Sequence, residues 1–270
     1  MHICLINFDA AWKDKAANIK KKGLLIQQAL IYHPETDIIV FPELSLTGYV
    51  LDTDAGSLAE EPTGSSIQAI SSIAKKYGVN IIFGFIEKNG QEKPYNSIAV
   101  LSKTGELITT YRKNHLFTQW VEPDIYTAGS SLSVCMIEWW KCGLSICFDL
   151  RYPRLYEAYR KAGVECVFTP AAWVDGRNKP DIFHSLAKAR SGENQFFMAC
   201  VDSLGTDRNN TYAGNALVSN PYCENVAETL SDIFHFAHIE KSDMITLAQN
   251  MPLSSGYKEH YTLTQTSKEF

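Results

Sequence analysis

A cysteine, a glutamate and a lysine, each at the margin of an apolar run, are the side chains of this 270-residue sequence best placed for covalent chemistry. Cys147 closes the run Gly143-Leu144-Ser145-Ile146-Cys147 just ahead of the more polar Asp149 and Arg151. A thiol there can face solvent, although most cysteines in such runs are ordinary core residues. Its thiolate is the reactive form and needs an adjacent base or a nearby positive charge at neutral pH. Glu43, in Phe41-Pro42-Glu43-Leu44, is a lone carboxylate among apolar residues, and such surroundings raise its pKa toward neutrality and suit it to proton transfer. Lys113, in Tyr111-Arg112-Lys113-Asn114-His115-Leu116-Phe117, offers a cation. Taken singly, a solvated carboxylate and a surface lysine explain the last two equally well. None of the seven histidines has a more informative setting; His115 reads equally as a loop or core residue.

Three element ends deliver these residues. Ile3 to Phe8 is suited to a buried strand, and Ile19, Gly23, Ile26 and Leu30 follow at helical spacing. Asp37 to Phe41 reads as a second strand, stopped by Pro42, which has no N–H for a ladder, so Glu43 lies just past a strand end. Ile67, Ile70, Ala74 and Tyr77 predict a helix closed by Gly78, and Val79 to Phe85 a strand. Tyr95 to Ser102 and Leu107 to Arg112 flank a turn and predict a hairpin that ends at Lys113. From 114 to 131 periodicity fails, as in a long loop that lines a site. Strands are expected at Leu132 to Ile137, Cys142 to Cys147 and Val164 to Thr169, the last ending at Pro170, with a helix after Pro153. Ile182 to Glu193 reads as a helix, and Phe196 to Val201 and Ala213 to Ser219 as strands. Weaker apolar runs lie at Phe234 to Ile239 and Met244 to Ala248. The alternation predicts an α/β protein with a mixed sheet under helices.

Composition excludes several classes. With 45% hydrophobic residues and no Pro-, Gly- or Ser-rich linker, one domain spanning 1–270 is expected. The net charge of -5 is spread along the chain, so neither nucleic acid nor a polybasic membrane surface is indicated. The only basic run, Lys20-Lys21-Lys22, is expected to be a solvated helix face. No stretch approaches the roughly 20 apolar residues of a membrane span, and the N-terminus lacks a secretory pattern. Seven cysteines without a close Cys or His pair suggest free thiols in a reducing cytoplasm, without a metal.

Together, Phe41-Pro42-Glu43-Leu44, Tyr111 to Phe117 and Cys147-Phe148-Asp149-Leu150-Arg151-Tyr152-Pro153 resemble the three signature segments of the carbon–nitrogen hydrolase (nitrilase-like) superfamily, in order and approximate spacing. Thr169 to Trp173 and Ala189 to Gln195 continue the resemblance. It implies a four-layer α-β-β-α sandwich, usually assembled as a homodimer or higher homo-oligomer, with a catalytic triad of Glu43, Lys113 and Cys147 and no cofactor. Glu122 resembles the second glutamate near many family sites. The implied chemistry is attack of Cys147 on an amide carbonyl, with Lys113 and the Phe148 N–H stabilising the oxyanion.

Cys147-Phe148-Asp149-Leu150-Arg151 resembles the omega-amidase and deaminated-glutathione-amidase branch, more than nitrile-cleaving (Cys-Trp-Glu) or carbamoyl-cleaving relatives. That branch implies a small-molecule amide substrate, a dicarboxylic acid monoamide. Its carboxylate would meet an Arg or Lys. Arg177 and Lys179 are the candidates; Arg151 is expected to brace its connector, and Trp173 and Trp120 to wall the pocket. The chain departs from close relatives at Gly192, Asp202-Ser203, Gly214-Asn215-Ala216 and Val218 to Asn225, the marks of a specialised amidase. Alternatives are an N-carbamoyl hydrolase with the same triad, a catalytically silent metabolite-binding scaffold, and a cysteine redox sensor.

Overall fold

The computed structural model describes residues 1–90, 92–208, 210–253 and 258. The chain opens with β1 (His2–Ile6), α1 (Lys15–Tyr32) and β2 (Ile38–Val40), a strand–helix–strand unit with parallel strands. Short α2 (Ala55–Leu58) leads to α3 (Ser65–Tyr77), whose C-cap Gly78 takes the left-handed φ of 64° that ends the helix. β3 (Asn80–Glu87), β4 (Tyr95–Leu101) and β5 (Leu107–Arg112) follow as an antiparallel meander, which contains the expected hairpin. One-turn α4 (Glu122–Ile125) interrupts the stretch expected to be loop.

A second unit holds β6 (Val134–Ile137), β7 (Trp140–Leu144), α5 (Pro153–Lys161), β8 (Cys166–Ala171), α6 (Lys179–Asn194) and β9 (Phe197–Asp202). The small strands β10 (Leu204–Thr206) and β11 (Thr211–Ala213) pair with each other. β12 (Ala216–Ser219) pairs with β9, while β13 (Glu228–Thr229) and β14 (Phe234–His238) return to the first sheet. The two weaker apolar runs thus become different elements, since Met244 to Ala248 lies in α7 (Lys241–Asn250), a helix without a buried residue.

One sheet has the order β13-β14-β1-β2-β3-β4-β5 and the other β12-β9-β8-β7-β6, both mixed. Alternation along the strands sorts side chains to two cores. Cys4, Ile6, Ile39, Ile81 and Phe83 pack with Ile26 and Ala29 of α1 and Ile70 and Ala74 of α3. Ile3, Leu5, Ile38, Val40 and Ile82 face instead Leu144 and Phe168 of the other sheet, in a core that extends through Val167 to Tyr156 of α5 and Phe183 of α6. The result is the four-layer α-β-β-α sandwich. Each fully buried Ile, Leu or Phe contributes about 1.5–3 kcal/mol. Among the described residues no helix is long and apolar enough to cross a membrane.

Two expectations change. β8 runs through Pro170 to Ala171 along β9. The polar groups of Phe168 serve the β7 side, receiving Ser145 N, and those of Ala171 serve β9, receiving Ser203 N. By that alternation Pro170 faces the β7 side, where β7 has already ended at Leu144, so its missing N–H breaks no ladder. Lys20-Lys21-Lys22 is not a uniformly solvated face: Lys20 is exposed, whereas Lys22 is fully buried, sharing with Asn18, Ile26 and Ala29 the side of α1 turned to the sheet.

Candidate active site

β2 ends at Val40, and the chain turns through Pro42 to present Glu43. Leu44 takes a left-handed φ of 45°, which bends the backbone so tightly against β3 that a Cβ at Gly84 would collide with the Leu44 amide. Lys113 follows directly on β5, its amide bonded to Asn96 O at 2.8 Å. Cys147 does not sit on a strand, as expected, but begins the 3₁₀ turn Cys147–Arg151 three residues beyond β7. Its φ of 45° is a conformation a non-glycine residue holds only when its surroundings enforce it.

Asp149 supplies that enforcement. Its carboxylate accepts from Ile146 N at 2.9 Å, Tyr111 OH at 2.8 Å and His115 N at 3.0 Å. The His115 ring lies 2.7 Å from it through Nδ1 and stacks on Tyr152 with centroids 3.6 Å apart. His115 therefore braces the turn instead of activating the thiol.

The three residues expected to act together are brought together. Lys113 Nζ donates to Glu43 Oε1 at 2.8 Å and to Glu122 Oε1 and Oε2 at 2.9 and 3.0 Å. Asn96, on buried β4, donates to both carboxylates, at 2.6 Å to Glu43 and 3.0 Å to Glu122. Ala172 N donates to Glu43 Oε2 at 2.8 Å and also lies against the Cys147 thiol. Phe117 N fixes Glu122 at 2.5 Å. Glu43, Lys113 and Glu122 are each at most 1% exposed, so one ammonium faces two carboxylates out of water.

This arrangement sets the proton inventory. Burial pushes the Glu43 carboxyl above its ordinary 4.5, only partly offset by the Lys113 ammonium, with Glu122 adding repulsion. Burial works against charge on Lys113, yet Glu122 and Glu43 outweigh it and raise the ammonium above its usual range. Burial and the Glu43 charge hold the Cys147 thiol well above 9.0. Cys147 thus favours the thiol form beside the Glu43 carboxyl. Replacing Glu122 by Gln is expected to lower kcat about 10- to 100-fold, because Lys113 loses one of its two anionic partners and with it its orientation. A steady-state assay on folded variant checks this, and a value within twofold of the parent would remove Glu122 from the machinery.

Cys147, only 8% exposed, opens into a cavity of about 250 Å³. Lys113, Tyr49, Phe117, Phe148, Trp120 and Trp173 line it, so both tryptophans wall the pocket as expected. Arg151 also lines the cavity, with its guanidinium 5.2 Å from the Trp173 ring, and does not merely brace its connector. Lys179 is a third cation of the lining, whereas Arg177 is exposed and outside it. Asn96 and the Ala172 amide carry no local signal that sequence reasoning could have used. No group of His, Cys, Asp and Glu among the described residues is arranged to hold a metal ion.

The chain that builds this buried Glu–Lys–Glu cluster beside a cysteine at a strained turn matches the carbon-nitrogen hydrolase family model over residues 3–232. The chain belongs to the carbon-nitrogen hydrolase family. It is similar to the 2-oxoglutaramate amidase of Bacillus subtilis (strain 168), at 32% identity over 226 residues, 84% of this chain and 85% of that protein. The omega-amidase NIT2 of Danio rerio is 28% identical over 252 residues, 90% of this chain and 89% of its own. Among solved structures, Saccharomyces cerevisiae Nit3, a member of branch 10 of the nitrilase superfamily, superposes with a TM-score of 0.86. At 24% identity over 94% of this chain and 95% of Nit3, that likeness is one of fold. This carbon-nitrogen hydrolase therefore acts on C–N bonds other than peptide bonds, and its cavity is the place to ask on which.

Proposed function

We propose that this hydrolase is an amidase that releases ammonia from the terminal carboxamide of a small dicarboxylic acid monoamide through a Cys147 thioester. The observation that carries the reading is one cavity in which Cys147 and Lys113 share the lining with two cations, Arg151 and Lys179. Glu43, Glu122 and Lys113 sum to one negative charge beneath it, which alone would repel an anionic substrate. Arg151 and Lys179 offset that charge and supply donors for a distal carboxylate. The similarity to an omega-amidase and a 2-oxoglutaramate amidase supports the same class.

In this reading Glu43 takes the thiol proton as Cys147 Sγ adds to the amide carbon. The oxyanion meets Lys113 Nζ and the Phe148 N–H, which is among the first donors of the 3₁₀ turn and has no acceptor in a preceding turn. The Glu43 proton passes to the departing nitrogen, the C–N bond breaks, and ammonia and a thioester remain. Glu43 then deprotonates a water that attacks the thioester, and returns the proton to the sulfur. A family match over residues 3–232 supports one domain over 1–270. The family resemblance supports a homodimer, and seven free thiols support a reducing cytoplasm.

The test is ammonia release from succinamate, 2-oxoglutaramate, deaminated glutathione, N-carbamoyl amino acids and simple nitriles. Turnover of nitriles alone would sink the amidase reading, and carbon dioxide released with ammonia would move it to carbamoyl hydrolysis. Arg151→Gln is expected to raise KM for succinamate about 10- to 100-fold, the loss of one charge-assisted hydrogen bond, and to leave neutral butyramide unaffected. Arg177→Ala, outside the cavity, is expected to change neither. Equal effects of Arg151→Gln on the two substrates would count against a carboxylate subsite.

A further inference from the structure

The turn that carries Glu43 is held by a dense set of hydrogen bonds, among them Leu46 N to Gly84 O at 3.1 Å. Pro42 O receives Gly84 N at 3.1 Å, Leu44 O receives Thr47 N and Gly48 N, and Thr47 O receives Lys13 N at 2.8 Å. Two of the anchors come from side chains of α1: Asn18 Nδ2 reaches Leu46 O at 3.0 Å, and Lys22 Nζ reaches Ser45 O at 2.9 Å. Lys22 is an unusual donor for that task. Its side chain is fully buried, with Nζ 3.6 Å from the Phe8 ring centroid and 4.4 Å from that of Phe41, the residue two before Glu43. Nζ forms no ion pair with a carboxylate, and its one oriented hydrogen bond among the described residues ends on the Glu43 turn.

A lysine at the helix–sheet core, unpaired with any carboxylate among the described residues, is costly unless it has a task there. Burial holds its pKa well below the ordinary lysine range, as expected of an amine kept for its N–H donors and not for an ion pair. From this geometry we infer that Lys22 is a positioning residue for the reaction. It clamps Ser45 O against the Phe8–Phe41 box and so fixes the turn that aims Glu43 at the Cys147 thiol. Without that clamp Ser45 O is a buried carbonyl without a donor, and the turn relaxes to find one. The shift need be only about 1 Å to impair proton transfer. Lys22 touches no substrate; its effect passes through Glu43, so the inference rests on Glu43 being the base.

The test compares Lys22→Met, which keeps the stem's bulk and apolar character but removes the donor, with Lys22→Arg, which keeps donors, and Lys20→Met on the exposed face. Two readouts are taken at a temperature where circular dichroism shows each protein folded: kcat for ammonia release across pH, and the second-order rate of Cys147 alkylation by iodoacetamide. Lys22→Met is expected to lower kcat and the alkylation rate about 10- to 100-fold and to displace the acid limb of the pH profile, with KM within about twofold. Lys22→Arg recovers part of the loss, and Lys20→Met matches the parent. Should Lys22→Met not fold, Lys22→Gln, whose shorter stem withdraws the donor while keeping it polar, is read in the same way. A folded variant with an unchanged alkylation rate and acid limb, whatever its Tm, overturns the inference. Alkylation needs no substrate, so it still decides the question if no amide is turned over and the amidase reading fails. A Glu43→Gln enzyme that alkylates as fast as the parent overturns the role of Glu43 and that of Lys22 together.

Discussion

Cys147→Ala is expected to lower kcat for ammonia release by about 10⁴-fold or more while the protein stays folded. The sulfur lies in the cavity lining within electrostatic reach of both the Glu43 carboxyl and the Lys113 ammonium. Water could be activated by Glu43 in its place, but it would lack the covalent intermediate that divides one difficult displacement into two easier steps. Alanine fits the space of the thiol and meets the same left-handed backbone demand at φ 45°, so the bracing by Asp149 and His115 stays in place. Ammonia release measured alongside thermal unfolding checks both halves. Full turnover by the alanine variant would remove the thioester mechanism, and unaltered metabolite binding in a protein that never turned over would restore the silent-scaffold reading.

Glu43→Gln should cost nearly as much, about 10³-fold in kcat, since the amide can neither take the thiol proton nor give it to the leaving nitrogen. The pH profile of the parent enzyme carries a second signature. Burial raises the Glu43 carboxyl above 4.5, and the reaction needs it ionised at the start. Activity is therefore present above that raised pKa and lost as pH falls through it, so the acid limb lies at higher pH than an exposed glutamate would place it. The residual activity of Glu43→Gln should have no such limb. Rates collected from about pH 4 to 9 on both proteins decide it. An acid limb retained in the variant would assign the proton transfer to another group, with Glu122 the first to examine.

Local sequence reaches some of these residues and not others. Pro42 after an apolar run, the hairpin ending at Arg112 and the run ending near Cys147 are signals within a few residues of the groups they deliver; the first two ends lie close to where expected, whereas the third strand stops three residues short of Cys147. Asn96 gave no such signal, because a polar residue within a strand declares nothing until its neighbours across the sheet are known. Lys22 read as one of three solvated lysines, because spacing along α1 does not say which stripe meets the sheet when Lys stands where an apolar residue would mark the core. That Arg151 lines the cavity and Arg177 does not was illegible for a related reason. Both lie in connectors, and only the packing of the 3₁₀ turn against Trp173 decides which cation reaches the cavity.

By itself the sequence determined the strand and helix periods, the element ends that carry Glu43, Lys113 and Cys147, and through their joint pattern the family. These are properties of short windows, where side-chain alternation, proline and glycine act on the backbone directly. Only the tertiary structure decided that the Cys147 thiol is largely buried in a cavity wall, that one lysine lies between two glutamates, and that Arg151 and Lys179 share its cavity. Those outcomes depend on burial and on contacts between residues as far apart in the chain as Glu43 and Ala172. Desolvation, which sets the proton inventory of the site, exists only once the two sheets have closed over it.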